Sequence, residues 1–161
     1  MEILNKKNSG FTLIETLMYS AIVTGFLTFA LIISYQLIDS SDRSTDLVEL
    51  NENQQFVTEK IGWVLSSVSA INIPASGATS ASLSVNRLNY GGNPIVISLS
   101  EGTVMYSTSS LPAVPLTNSH VTVSDLNFKN LNFEGRVGIQ FSANFANNTS
   151  STSLENTFIV K

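Results

Sequence analysis

An α+β fold is predicted: a long N-terminal α-helix packed on a C-terminal antiparallel β-sheet. Three observations predict it. From Phe11 to Ile38 the chain runs for 28 residues with one charge, Glu15. From Leu47 onward apolar residues recur at spacings of three, four or seven, as on one face of a helix. After Pro74 the period shortens towards two, and Gly, Pro and Asn residues punctuate it as turns do.

The opening ten residues, Met1–Gly10, are polar and include Lys6 and Lys7. The chain then changes abruptly. From Thr16 to Ile38 there are 23 residues and no charge, and about 20 apolar residues suffice for a helix to span a bilayer. Thr12, Thr16, Ser20, Thr24, Thr28 and Ser34 dilute the run, but a helix lets such hydroxyls bond back to its own carbonyls. An ordinary secretory signal has a shorter apolar core followed at once by small residues, which this run lacks. A single-pass anchor fits the length, with Lys6 and Lys7 holding the N-terminus in the cytoplasm. That reading leaves Glu15 unexplained, because a carboxylate near the start of a membrane helix costs a few kcal/mol and requires a partner.

Asp39 to Arg43 is the switch to an amphipathic half. Leu47, Leu50, Val57, Ile61, Val64, Val68 and Ile71 form the apolar stripe, with Gln54 filling one gap. Asp46, Glu49, Glu52, Glu59 and Lys60 fall largely off it, and Trp63 sits one step to the side as a packing residue. No proline precedes Pro74, which with Gly77 ends the run. The helix is therefore expected from Phe11 to about Ile71, roughly 90 Å at 1.5 Å per residue. Gly25 is the one breaker in its apolar half, so a straight or gently curved helix is expected.

Ala75 to Ala81 reads as a small-residue loop. Strands are expected at Leu83–Tyr90, Ile95–Leu99 and Thr103–Ser107, separated by turns at Gly91-Gly92-Asn93 and Glu101-Gly102. Ser109 to Ser119, with Pro112 and Pro115, reads as a loop. Further strands are expected at Val121–Phe128 and Val137–Phe145, a polar mobile loop at Asn147–Ser153, and a closing edge strand at Thr157–Val160. The apolar face of one antiparallel sheet is expected to pack on the helical stripe. The organisation is thus residues 1–10 as a leader, 11–38 as the hydrophobic helix, 39–73 as the amphipathic half and 74–161 as the β body.

Composition narrows the chemistry. The chain has 161 residues, 8 basic and 12 acidic side chains, a net charge of -4, one His and no Cys. The scattered bases give no nucleic-acid footprint. The lack of Cys removes disulfides, thiol catalysis and thiolate-bound zinc. A hydrolase needs a nucleophile, a base and an orienting acid, and His120, in a Ser/Thr/Asn-rich stretch, is expected to be exposed and inert. Asp39, Asp42, Asp46, Glu49 and Glu52 are spread around the rod by helical spacing. No phosphate loop or dinucleotide fingerprint is present. No catalytic residue, metal or cofactor is expected, and the chain reads as a non-enzyme.

The string Lys6-Lys7-Asn8-Ser9-Gly10-Phe11-Thr12-Leu13-Ile14-Glu15 resembles the leader junction of the type IV pilin-like family: a basic polar leader ending in Gly, then Phe-Thr-Leu-Ile-Glu. The resemblance implies the pilin fold and cleavage between Gly10 and Phe11 by a membrane aspartic prepilin peptidase, with methylation of the new Phe11 amine. Glu15 becomes the fifth residue of the cut chain and an assembly residue. The freed amine lies one helical turn from it. In an apolar filament core, amine and carboxylate are each costly alone and tolerable together. The run Pro115-Leu116-Thr117-Asn118, Val121-Thr122-Val123 and Leu126-Asn127-Phe128 is similar to the C-terminal half of minor pilins and pseudopilins of the W and J types. The proline often found in the family's membrane half, its disulfide-closed loop and its calcium loop are not seen in this sequence.

What the resemblance implies is a minor pilin or pseudopilin that joins or primes a filament of the pilus, type II secretion or DNA-uptake kind. Its partners are other pilin or pseudopilin subunits, the prepilin peptidase, the inner-membrane assembly platform and the membrane itself. It is expected first in the cytoplasmic membrane with its N-terminus inside, then in a periplasmic or extracellular filament. A major pilin that builds the shaft and a membrane-anchored β-domain that never polymerises are the alternatives.

Overall fold

Helix α1 runs unbroken from Leu13 to Leu65, 53 residues, with Thr12 as its cap. A computed structural model describes residues 10–133 and 136–160, the side chains of Asp42, Asn132 and Phe133 excepted. Lys6 and Lys7 lie outside the described residues. The chain divides into two compact units, one through Asp42 and one from Arg43.

The helix ends six residues before the expected Ile71. Ser66 closes it, its hydroxyl donating to the Trp63 carbonyl at 2.8 Å. Val68–Ile73 forms strand β1 instead, pairing antiparallel with β3 (Ser82–Arg87). The physical reason lies in Ser66, Ser67 and Ser69, which compete for backbone bonds and leave helices readily. The β-branched Val68, Ile71 and Ile73 then favour a pleated strand. Val68 and Ile71 still pack against the core, as apolar residues should, but from a strand.

The body holds two antiparallel sheets where one was expected. The first is ordered β1-β3-β4-β5-β6, with β4 at Ile95–Ser100, β5 at Thr103–Thr108 and β6 at Leu111–Pro115. The second is ordered β2-β7-β8-β9, with β2 at Thr79–Ser80, β7 at Thr122–Phe133, β8 at Arg136–Ala146 and β9 at Ser151–Ile159. Period-two alternation marks which faces are apolar but not which strands pair, so it could not separate the sheets. Strand β6 replaces part of the expected loop at Ser109–Ser119. Its Pro112 and Pro115 are tolerated because it is an exposed edge strand.

Asn147–Ser153 is likewise not a free loop. Asn147 Oδ1 accepts from the backbone N–H of Thr149 and Ser150, and β9 starts at Ser151. The turn is tied to the helix: Asn147 Nδ2 donates to the Asp46 carbonyl at 3.0 Å, and Thr149 Oγ1 to the Asp46 carboxylate at 2.7 Å.

The core sits between α1 and both sheets. From the helix come Leu50, Val57, Ile61, Val64 and Leu65; from the first sheet Leu83, Val85, Ile95, Ile97 and Val104; from the second Phe128, Ile139, Phe141 and Phe145. Gln54 is buried in the stripe as expected, whereas Leu47 is exposed. Gly62 lets the Phe158 ring of β9 lie against the helix, since a Cβ there would stand 3.3 Å from it.

The β4–β5 hairpin has the turn its sequence predicts. Glu101 and Gly102 both have positive φ, 49° and 77°, the requirement of a two-residue turn matched to strand twist. The turn also joins the two sheets, because Val123 N–H donates to the Gly102 carbonyl at 2.7 Å. Gly102→Ala places a Cβ 2.8 Å from Thr122 Cγ2 in a left-handed conformation. The expected loss is about 1–2 kcal/mol of body stability, read from the urea midpoint. Gly91→Ala, which meets nothing within 4 Å, leaves that midpoint unchanged.

Candidate functional site

The N-terminal segment is built around a helix start. Thr12 is the N-cap: its carbonyl accepts the Thr16 N–H at 3.2 Å and its hydroxyl accepts the Glu15 N–H at 3.4 Å. Glu15 is therefore the third helical residue, the position where a carboxylate meets the positive end of the helix. Its Oε1 accepts from the Tyr19 hydroxyl at 3.5 Å, one turn further on. Tyr19 in turn meets the Phe11 ring edge-on, with centroids 6.2 Å apart.

Gly10 and Phe11 precede the helix and are exposed, Phe11 at 76%. An added Cβ at Gly10 would touch nothing within 4 Å. Among the described residues nothing crowds the bond between them, and the structure brings Phe11, Thr12, Glu15 and Tyr19 onto one helix start.

Beyond this start the apolar side chains face outward. Leu17, Met18, Ile22, Phe26, Phe29, Leu31 and Leu37 are all exposed. The hydroxyls that interrupt them are satisfied within the helix: Thr16 to the Thr12 carbonyl, Thr28 to Thr24 and Ser34 to Ala30, at 2.9–3.0 Å. By length and composition this helix can cross a membrane. Leu13 to Ile38 rises about 39 Å at roughly 1.5 Å per residue, more than a hydrocarbon core of about 30 Å. The helix passes Gly25 without interruption.

Two features of the body were not foreseen. His120 is exposed as expected but has a partner: its Nδ1 stands 3.0 Å from Glu49 Oε1. Asn118 Nδ2 donates to the same oxygen, and the Asn118 N–H donates to Asn53 Oδ1 at 3.0 Å. Glu49 and His120, with Asp46, Thr122 and Asn147, line a polar cavity of about 530 Å³. Among the described residues no group of three or more His, Cys, Asp or Glu side chains is arranged to hold a metal.

The second feature is a cluster of cations and rings. Lys60 Nζ lies 4.5 Å from the Trp63 ring centre and 4.4 Å from that of Tyr106. The Arg87 guanidinium carbon lies 3.9 Å over Trp63, and Tyr90 meets Trp63 edge-on at 6.1 Å. Burial, aided by a hydrogen bond with the Tyr90 hydroxyl, pushes the Tyr106 phenol up to about 12. The signal in the sequence was the spacing of three between Lys60 and Trp63, which shares a helix face. Nothing local announced that Arg87 would cross over from β3.

No family model, no curated protein and no solved structure matches the chain.

Proposed function

We propose that the chain is a minor pilin or pseudopilin, a structural subunit cut after Gly10 that assembles through its N-terminal helix into, or primes, a type IV pilus-like filament. The observation that carries this reading is the string from Lys6 to Glu15 placed directly before the charge-free run Thr16–Ile38, with Glu15 as the lone charge between Phe11 and Ile38. The capped helix start supports it. Cleavage at the exposed Gly10–Phe11 bond frees an amine immediately ahead of Thr12, and Glu15 lies one turn inside the helix.

In this mechanism no bond chemistry belongs to the chain itself. The membrane holds the precursor, the prepilin peptidase cuts it and methylates Phe11, and the assembly platform delivers it to neighbouring subunits. The outward apolar face of the helix then exchanges lipid for other helices, where close packing and polar pairs drive association. The amine of one subunit and Glu15 of another pair in the apolar core, which sets the stagger between them.

Intact mass and N-terminal sequencing of the protein from membranes test the first step. The expected product begins at methylated Phe11. A mature membrane form of full precursor mass overturns the reading and leaves an anchored β-domain. Filaments composed mainly of this chain would make it a major pilin.

A further inference from the structure

Lys60 and Arg87 place two positive charges against one ring, Trp63. Pairing either cation with a carboxylate would offset this gathered charge. Among the described residues no carboxylate pairs with either. Arg87 Nη2 donates to Ser66 Oγ at 3.3 Å, while its buried Nε has no partner. The Lys60 ammonium makes no hydrogen bond among the described residues and rests only on the faces of Trp63 and Tyr106. Tyr106 stays uncharged at neutral pH and cannot neutralise it. Trp63 is 41% exposed, and Leu88, next to Arg87 in the chain, is 60% exposed.

We propose that Lys60, Arg87 and Trp63 form a docking site for an acidic segment of a second protein subunit. Carboxylates one helical turn apart, with Cβ atoms about 5–6 Å from each other, can meet both cations. Carboxylates two residues apart on an extended strand, about 7 Å, can do the same. The rings hold the two charges partly dehydrated and in place, so charge-assisted bonds form with little ordering cost. A phosphate backbone is disfavoured because it needs a track of bases. Here Arg43 lies roughly 25 Å back along the helix, and Lys129 and Arg136 are on β7 and β8. The site belongs wholly to the unit from Arg43 onward, and its occupant depends neither on cleavage after Gly10 nor on polymerisation.

Trp63 is the sole tryptophan of the chain, so its emission reports on the site directly. Titrating the full chain in detergent with a hexaglutamate peptide should give a saturable change in that emission, and hexaglutamine none. Arg87→Gln and Lys60→Met should each weaken the response at least tenfold, while Lys60→Arg retains it. A flat titration, or equal responses in wild type and both charge-removing variants, overturns the proposal. Loss in Lys60→Arg as well, with an unchanged unfolding midpoint in all three variants, overturns it by showing that charge is not what is recognised. Tighter binding of an oligothymidylate than of hexaglutamate overturns the choice of occupant.

Discussion

On the proposed filament reading, Glu15→Gln is expected to leave the precursor inserted and cleaved but to lower its incorporation into filaments at least tenfold, as is Glu15→Ala. The two variants separate the roles the geometry allows for this carboxylate. Glu15 is the third residue of a helix capped by Thr12, and at that position Gln serves a capping box as Glu does. Capping contributes about 1 kcal/mol. Leaving one member of a buried ion pair without the other costs about 3–5 kcal/mol, far more than a cap. If Glu15 acts through its charge on a neighbour's amine, Gln fails as badly as Ala. If it acts only on its own helix, Gln restores incorporation. The measurement is the ratio of cleaved subunit in sheared filaments to that in membranes. Normal incorporation of both variants would sink the assembly role outright.

Phe141→Ala is expected to destabilise the body by about 3–5 kcal/mol, the range for removing a fully buried aromatic side chain. Phe141 has no exposed surface and stacks at a tilt on Phe128, with ring centroids 5.6 Å apart. Its strand β8 is central in the second sheet, paired on one side with β7 and on the other with β9, so no flank can collapse into the void. Against a typical domain stability of about 5–15 kcal/mol, this is a large fraction. Leu88→Ala, at an exposed position, should change stability by no more than about 0.5 kcal/mol. Urea unfolding of the full chain in detergent, followed by far-ultraviolet circular dichroism, compares the two. A shift for Phe141→Ala no larger than that for Leu88→Ala would contradict the core placement.

The parts legible in the sequence were those governed by local rules. The long helix followed from a charge-free run without proline, although it starts at Leu13, capped by Thr12, and not at Phe11. The Glu101-Gly102 turn followed from a two-residue break with Gly between alternating runs, although Glu101 takes a positive φ that Asn, Asp or Gly would adopt more readily. The misread parts depended on partners far away in the chain. Val68 and Ile71 fit a helical period and a strand equally well until β3 is there to pair with them. Pro112 and Pro115 mark a loop or an edge strand, and only the neighbouring β5 decides which. Asn147 and Thr149 look like a polar loop until Asp46, about a hundred residues earlier, is brought beside them. The same holds for Lys60 and Trp63, whose cluster is completed by Arg87 from another element.

The polar ties between helix and body have a mechanical side. They fall on Asp46, Glu49 and Asn53, the first body turns of α1, around the buried Leu50 and ahead of the apolar contacts from Val57 to Leu65. Tension entering the body along the helix from its N-terminal side loads these bonds, together with the buried Leu50 between them, side by side and in shear, ahead of the contacts from Val57 onward. Bonds loaded in parallel share the force and must rupture nearly together. Resistance to being pulled apart is then set by the rate of that rupture rather than by equilibrium stability. The stretch from Asp46 to Asn53 thus acts as a strain relief, placed where the load enters the folded body.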